Sequence, residues 1–178
     1  SAGKTQICRR LNDQAFDPNI PSTHGIDLGK ITLISANEDK PEIVAHVWDF
    51  GGQDIYHGTH ALFMDERALF VIVWNPELET AQPYTEHGVA MRHRPLAYWL
   101  AMVRDVAGED AAVVVVQSKC DRQQDSVQPP LPAEHGLRYL RYTACSAKIQ
   151  LGMSSLLTSI QDQAQLLLER YGQVLLPA

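Results

Sequence analysis

The sequence predicts an α/β fold: a mostly parallel central sheet with helices on both faces and one antiparallel hairpin. Three observations carry that expectation. Residues 68–74 (Ala-Leu-Phe-Val-Ile-Val-Trp) and 111–116 (Ala-Ala-Val-Val-Val-Val) are unbroken apolar runs bounded by charged or turn residues. Continuous β-branched runs suit strands buried on both faces, the condition of a parallel sheet covered by helices. Met153, Leu156, Leu157, Ile160, Ala164, Leu167, Leu168 and Tyr171 recur at spacings of three and four, the mark of a helix with one buried face. Strand-like and helical patterns alternate, which is the order of a layered α/β domain.

Taken in chain order, a first helix is expected from Lys4 to Leu11. Residues 31–36 and 43–48 are strand-like and flank Asn37-Glu38-Asp39-Lys40-Pro41, so they are expected to pair as a hairpin. The run 68–74 follows as a buried strand. A second helix is expected over 95–106, with Pro95 in its first turn. The run 111–116 is the next strand, followed by a Gln- and Pro-rich loop over 123–132 and a short strand. The last helix ends at Gly172, a residue suited to stopping one. The sequence contains no internal repeat.

Composition narrows the function classes. The 178 residues fit one domain, and 45% hydrophobic with 20% charged residues is a globular balance. The net charge of −6 argues against nucleic acid as a partner, because such domains carry a basic footprint. It does not exclude a phosphorylated ligand, which is held by local N–H groups and a metal. The three cysteines, Cys8, Cys120 and Cys145, are dispersed and lack ligand spacing, so reduced thiols and a cytoplasmic setting are expected. No apolar run approaches the ~20 residues of a membrane span. His57, His60, His87 and His93 are scattered without a paired ligand spacing.

The chain opens on Ser1-Ala2-Gly3-Lys4-Thr5 and runs into a helix. This matches the second half of the phosphate loop G-x-x-x-x-G-K-S/T, in which backbone N–H groups cradle phosphate, the Lys reaches the outer phosphates and the hydroxyl holds Mg²⁺. The triplet alone also fits a capped helix start. The first glycine and its leading strand are not in this sequence, so the domain is expected to be cut within that loop.

Three further motifs follow in order. Asp49-Phe50-Gly51-Gly52-Gln53, directly after a strand, matches D-x-x-G-Q. There Asp49 would meet Mg²⁺ through water, the Gly52 N–H the γ-phosphate, and Gln53 would orient an attacking water. Ser118-Lys119-Cys120-Asp121, after a buried strand, resembles the guanine-reading N-K-x-D. Asp121 would accept from the guanine N1–H and N2 amine, a pair of donors that adenine cannot reproduce. Lys119 would lie along the base. Ser118 replaces the usual Asn and offers fewer hydrogen bonds, so weaker affinity with guanine preference kept is the expectation. Ser146-Ala147-Lys148 resembles the S-A-K element, whose backbone N–H meets guanine O6. Thr23, between the first helix and the hairpin, is the candidate to reach Mg²⁺ and the γ-phosphate as a switch residue.

Together the motifs resemble the Ras-like P-loop GTPases, and among them the Roc domain of Roco proteins. The stretch Trp48-Asp49-Phe50-Gly51-Gly52-Gln53, then Thr59-His60, Phe63-Met64 and Arg67-Ala68-Leu69, follows the Roc pattern. So does Thr23-His24-Gly25-Ile26. The resemblance implies a Roc-like GTPase domain over residues 1–178 and a Mg²⁺-dependent switch that binds GTP and GDP and hydrolyses GTP slowly. It places Gln53 and Thr23 in catalysis, and Thr5, Thr23 and Asp49 at the metal. It places Gly3, Lys4, Thr5, Gly52, Ser118, Lys119, Asp121, Ser146, Ala147 and Lys148 at the nucleotide. As partners it implies leucine-rich-repeat and COR regions of a parent protein and a second copy in a homodimer. Residues 77–94 are longer than a minimal GTPase needs, and the Pro-rich 121–142 stretch leaves the usual fourth helix reduced to a turn. The alternative is a dimerisation or scaffolding module that binds nucleotide weakly or not at all, favoured by Ser118 and the incomplete loop. An adenine-specific P-loop enzyme would lack a use for Asp121.

Overall fold

A left-handed glycine starts the fold: Gly3, at φ 86°, leads into helix α1 (Lys4–Leu11). The structure, a computed structural model, describes residues 2–21, 23, 25–33, 42–50, 65, 67–86 and 89–172. After α1 come strands β1 (Ile26–Leu33), β2 (Ile43–Phe50) and β3 (Leu69–Trp74). A short helix α2 (Pro76–Glu79) and strands β4 (Tyr84–Glu86) and β5 (Val89–Met91) follow. Helix α3 (Leu96–Ala107), strands β6 (Ala112–Gln117) and β7 (Tyr139–Ala144), and helix α4 (Met153–Tyr171) complete the order.

β3, β6 and β7 form a parallel sheet in that spatial order, with β6 in the centre. All six β6 residues are buried, which is why the sequence there is apolar without alternation. Val114 and Val116 face one side and join Met153, Leu156 and Ile160 of α4 and Ile7 of α1. Val113 and Val115 face the other and join Leu96, Leu100, Val103 and Ala107 of α3. The expected covering of both faces is therefore present. Each buried valine contributes about 1.5–3 kcal/mol relative to exposure.

β1 and β2 pair antiparallel, from Ile26 opposite Phe50 to Leu33 opposite Ile43. The expected hairpin exists, but β1 begins at Ile26 rather than at residue 31. Residues 27–30 are all exposed, and only Ile31 and Leu33 turn into the core, so the apolar signal covers just the end of the strand. Residues 34–41 lie outside the described residues. Ile31 and Leu33 pack into the same cluster as Val114 and Val116, with Ile43, Ala45 and Val47 of β2 alongside. Among the described residues no ladder joins β2 to β3. The hairpin is attached through side chains of a shared core.

Residues 77–94 hold α2 and the β4–β5 hairpin, which accounts for their extra length. Between β6 and β7 the only regular structure is a 3₁₀ turn at Gln123–Asp125, as the Pro-rich composition suggested. α3 begins one residue after Pro95. The Leu96 N–H donates to the Glu79 carboxylate at 3.2 Å, and Trp74 Nε1 donates to the same carboxylate at 2.7 Å. Glu79 thus caps a helix from outside it. No helix among the described residues is long and apolar enough to cross a membrane.

Candidate functional site

Two polar clusters form at element ends, one at the start of α1 and one beyond β6 and β7. At the first, no side-chain hydrogen bond caps the opening turn of α1 among the described residues. Thr5 Oγ1 donates to Asp49 Oδ2 at 2.6 Å. Thr23 Oγ1 lies 2.8 Å from Thr5 Oγ1 and 3.5 Å from Asp49 Oδ2. Thr5 has one hydroxyl proton and gives it to Asp49, so Thr23 is the donor in the hydroxyl pair. β2 delivers Asp49 to this point, where it is buried. Lys4 stands beside it. Burial pulls the Lys4 pKa down, and the Asp49 charge partly offsets that. Three hard oxygens within hydrogen-bonding distance suit Mg²⁺, which takes oxygen ligands and keeps several waters.

The second cluster follows from strand register. β6 and β7 are parallel with Gln117 opposite Ala144, so the loops after them leave from neighbouring carboxyl ends. Ligands in open α/β sheets bind at such ends. The Cys145 N–H donates to Gln117 O at 2.8 Å and the Cys120 N–H to Cys145 O at 3.1 Å, which ties the two loops together. Buried Ser146 donates through Oγ to Asp121 Oδ1 at 2.6 Å, and Lys148 Nζ lies 3.9 Å from Asp121 Oδ2. Lys119 sits at φ 62° and is exposed, a left-handed conformation that costs a non-glycine residue about 1–3 kcal/mol.

The structure thus brings together Thr5, Thr23 and Asp49, with Lys4 adjacent, and separately Asp121, Ser146 and Lys148, with Ala147 between the last two. Ser118 joins neither cluster. Its hydroxyl donates to Trp74 O at 3.3 Å, back into the end of β3. Gly52 and Gln53 lie outside the described residues. One polar residue went unnoticed in the sequence. Arg10, in the last turn of α1, donates through Nε to Ala147 O at 2.6 Å and through Nη2 to Lys148 O at 3.2 Å. No local pattern could have shown this, because the partners are 137 and 138 residues away.

A parallel sheet flanked by helices, with an antiparallel hairpin beside it, is the Ras-like GTPase fold. A solved structure of Methanosarcina barkeri Roco2 RocCORdC bound to GDP superposes with TM-score 0.65 at 25% identity, over 95% of this chain and 46% of that one. Among curated relatives, the probable serine/threonine-protein kinase pats1 of Dictyostelium discoideum is 27% identical over 68% of this chain. The Ras-related protein Rab-3D of Mus musculus is 25% identical over 78% of it. The chain spans 4% of the first relative and 55% of the second. The family model described as Ras of Complex, Roc, domain of DAPkinase matches residues 1–121. The chain belongs to the Roc family of Ras-like GTPase domains, which are GTP-binding switches.

Proposed function

We propose that this chain binds GTP and GDP with Mg²⁺ and switches by hydrolysing GTP. The convergence of the Thr5, Thr23 and Asp49 oxygens at the N-terminus of α1 carries the reading. Family membership and the GDP-bound Roco2 neighbour support it. Lys4 and the N–H groups of the α1 first turn hold the phosphates, a role that a lysine poorly solvated by its surroundings is suited to. Mg²⁺, when bound, neutralises charge on the β- and γ-phosphate oxygens. Thr5, Thr23 and Asp49 would hold it, and Thr23 reports on the γ-phosphate because it lies on the segment between α1 and β1. Asp121, oriented by Ser146, accepts from both guanine donors, and the Ala147 N–H meets O6. Gly52 and Gln53, by their place in the D-x-x-G-Q motif, serve the γ-phosphate and the attacking water.

The test is nucleotide binding by the full-length protein. GDP and GTP are expected to bind and ATP is not. Asp121→Asn should weaken guanine binding by on the order of 10²–10⁴-fold, the loss of two charge-assisted hydrogen bonds, and should favour xanthosine diphosphate. Equal binding of GTP and ATP would sink the assignment. One observation favours the scaffold alternative: the Ser118 hydroxyl is committed to Trp74 and does not brace the base loop. No detectable binding of any nucleotide would support that alternative.

A further inference from the structure

We infer that Arg10 is a positioning residue that orients Asp121 from the far side of the guanine loop, an inference that rests on the reading of Asp121 given above. Arg10 lies on α1, whose other end carries Lys4 and Thr5. Its guanidinium leaves its own helix and bridges two successive carbonyls, Ala147 O at 2.6 Å and Lys148 O at 3.2 Å. A planar fork suits such a pair, and two bonds fix the peptide planes that a single donor would let rotate. The plane that holds Lys148 O also holds the Ile149 N–H on its opposite edge. That N–H donates to Ser146 Oγ at 3.2 Å, and Ser146 Oγ in turn donates to Asp121 Oδ1 at 2.6 Å. The chain of contacts runs without a break from the Arg10 guanidinium to the carboxylate that reads the base. It joins the phosphate helix to the base loop through a single side chain. Nη1 also reaches Gln14 O at 3.4 Å, so one edge of the fork remains on the α1 side.

The GDP-to-IDP preference reads the orientation of Asp121. The two nucleotides share phosphates, ribose, O6 and N1–H, and differ in the N2 amine that a correctly aimed carboxylate accepts. Effects on phosphate or Mg²⁺ binding cancel in the ratio. Arg10→Ala in the full-length protein should reduce the GDP/IDP affinity ratio by roughly tenfold, the value of one misaligned charge-assisted bond. Arg10→Lys, a point donor that cannot span both carbonyls, should fall in between. Arg9→Ala is the control: among the described residues the Arg9 guanidinium reaches Ala15 O alone, at 3.2 and 3.1 Å, and its removal should leave the ratio unchanged. If Arg10→Ala does not fold, Arg10→Lys and Arg10→Gln give the ratio instead. GDP and IDP weakened equally in a folded Arg10 variant would overturn the positioning role while leaving the assignment of Asp121 intact. A wild-type protein with no preference for GDP over IDP would overturn both.

Discussion

Thr5 shows how few protons the first cluster has to share. Its single hydroxyl proton goes to Asp49 at 2.6 Å, and Thr23 leans on Thr5 at 2.8 Å. Under the proposed reading, Mg²⁺ would take the place of these hydrogen bonds at the same three oxygens. Thr5→Asn is therefore expected to abolish Mg²⁺-dependent stabilisation by GDP. In the wild type that stabilisation should reach about 3–4 kcal/mol at a hundred- to thousand-fold excess over Kd. Denaturation with and without GDP and Mg²⁺ measures it, and a wild type indifferent to both would count against the switch. Cys145 gives a second expectation. It is fully buried, and burial, with Cys120 nearby, raises its pKa to about 12. The unfolded thiol ionises near its ordinary 9.0. Between those values the unfolded chain binds fewer protons than the folded one, so this contribution is intact below pH 9 and lost as pH rises toward 12. Native protein at pH 8 should leave Cys145 unalkylated by iodoacetamide, and rapid labelling of the folded state would contradict the burial. The members of the two polar clusters were legible at this scale where the sequence is contiguous: Lys4, Thr5, Asp49, Asp121 and Ser146 all sit in short motifs. Arg10 was not, because its meaning lies in carbonyls more than 130 residues away.

At the scale of elements, Gly152 sets how closely α4 meets β7. It precedes α4 with φ 73°, and a Cβ there would collide with the Ala144 carbonyl. Backbone cannot swing aside as a long side chain can. Gly152→Ala should cost on the order of 2–4 kcal/mol, combining left-handed strain with a forced shift of α4. Gly3, in the same left-handed region at φ 86° and ψ 20° with nothing within 4 Å of its Cβ position, isolates the strain, so Gly3→Ala should cost only about 1 kcal/mol in the absence of nucleotide. Urea unfolding of the two variants separates the terms, and equal losses would show that the close approach is unimportant. Elements were legible where burial imposes a pattern. β6 reads as a strand because both of its faces are covered, and α4 reads as a helix because one of its faces is. The first half of β1 did not, because residues 27–30 are exposed and held in the strand by backbone pairing to β2. The β4–β5 hairpin escaped for a related reason: strands of three residues are too short to show a period. The capping of α3 by Glu79 joins residues 17 apart across an inserted hairpin, a link set by tertiary structure alone.

Across the whole molecule, one core holds together a hairpin and a parallel sheet that share no ladder among the described residues. The Thr5–Asp49 cluster draws on both α1 and β2, so its geometry depends on that shared core remaining packed. The Asp121–Ser146 cluster draws on the loops after β6 and β7 and is tied to α1 through Arg10. Under the proposed reading, Lys4 is the cation that the described residues place at the first cluster. The arginines of α1 are engaged away from the first cluster, Arg9 with Ala15 and Arg10 with the base loop. Hydrolysis by a positioned water and Mg²⁺ without an arginine finger runs at roughly 10⁻⁴ to 10⁻³ per second, and a finger adds about 10³–10⁵-fold. The isolated domain is therefore expected to be slow, and acceleration is expected to need a partner or a second copy supplying contacts in trans. Gln53→Leu should lower the single-turnover rate while leaving GTP affinity nearly unchanged, because a water-orienting amide acts in the transition state and contributes little to the ground state. The measurement is single-turnover hydrolysis by the full-length protein over a range of concentrations, with GTP affinity determined in parallel. A rate that Gln53→Leu leaves alone would remove Gln53 from the mechanism. A fast rate independent of protein concentration would show instead that the domain supplies its own stabilising charge and needs no contact in trans.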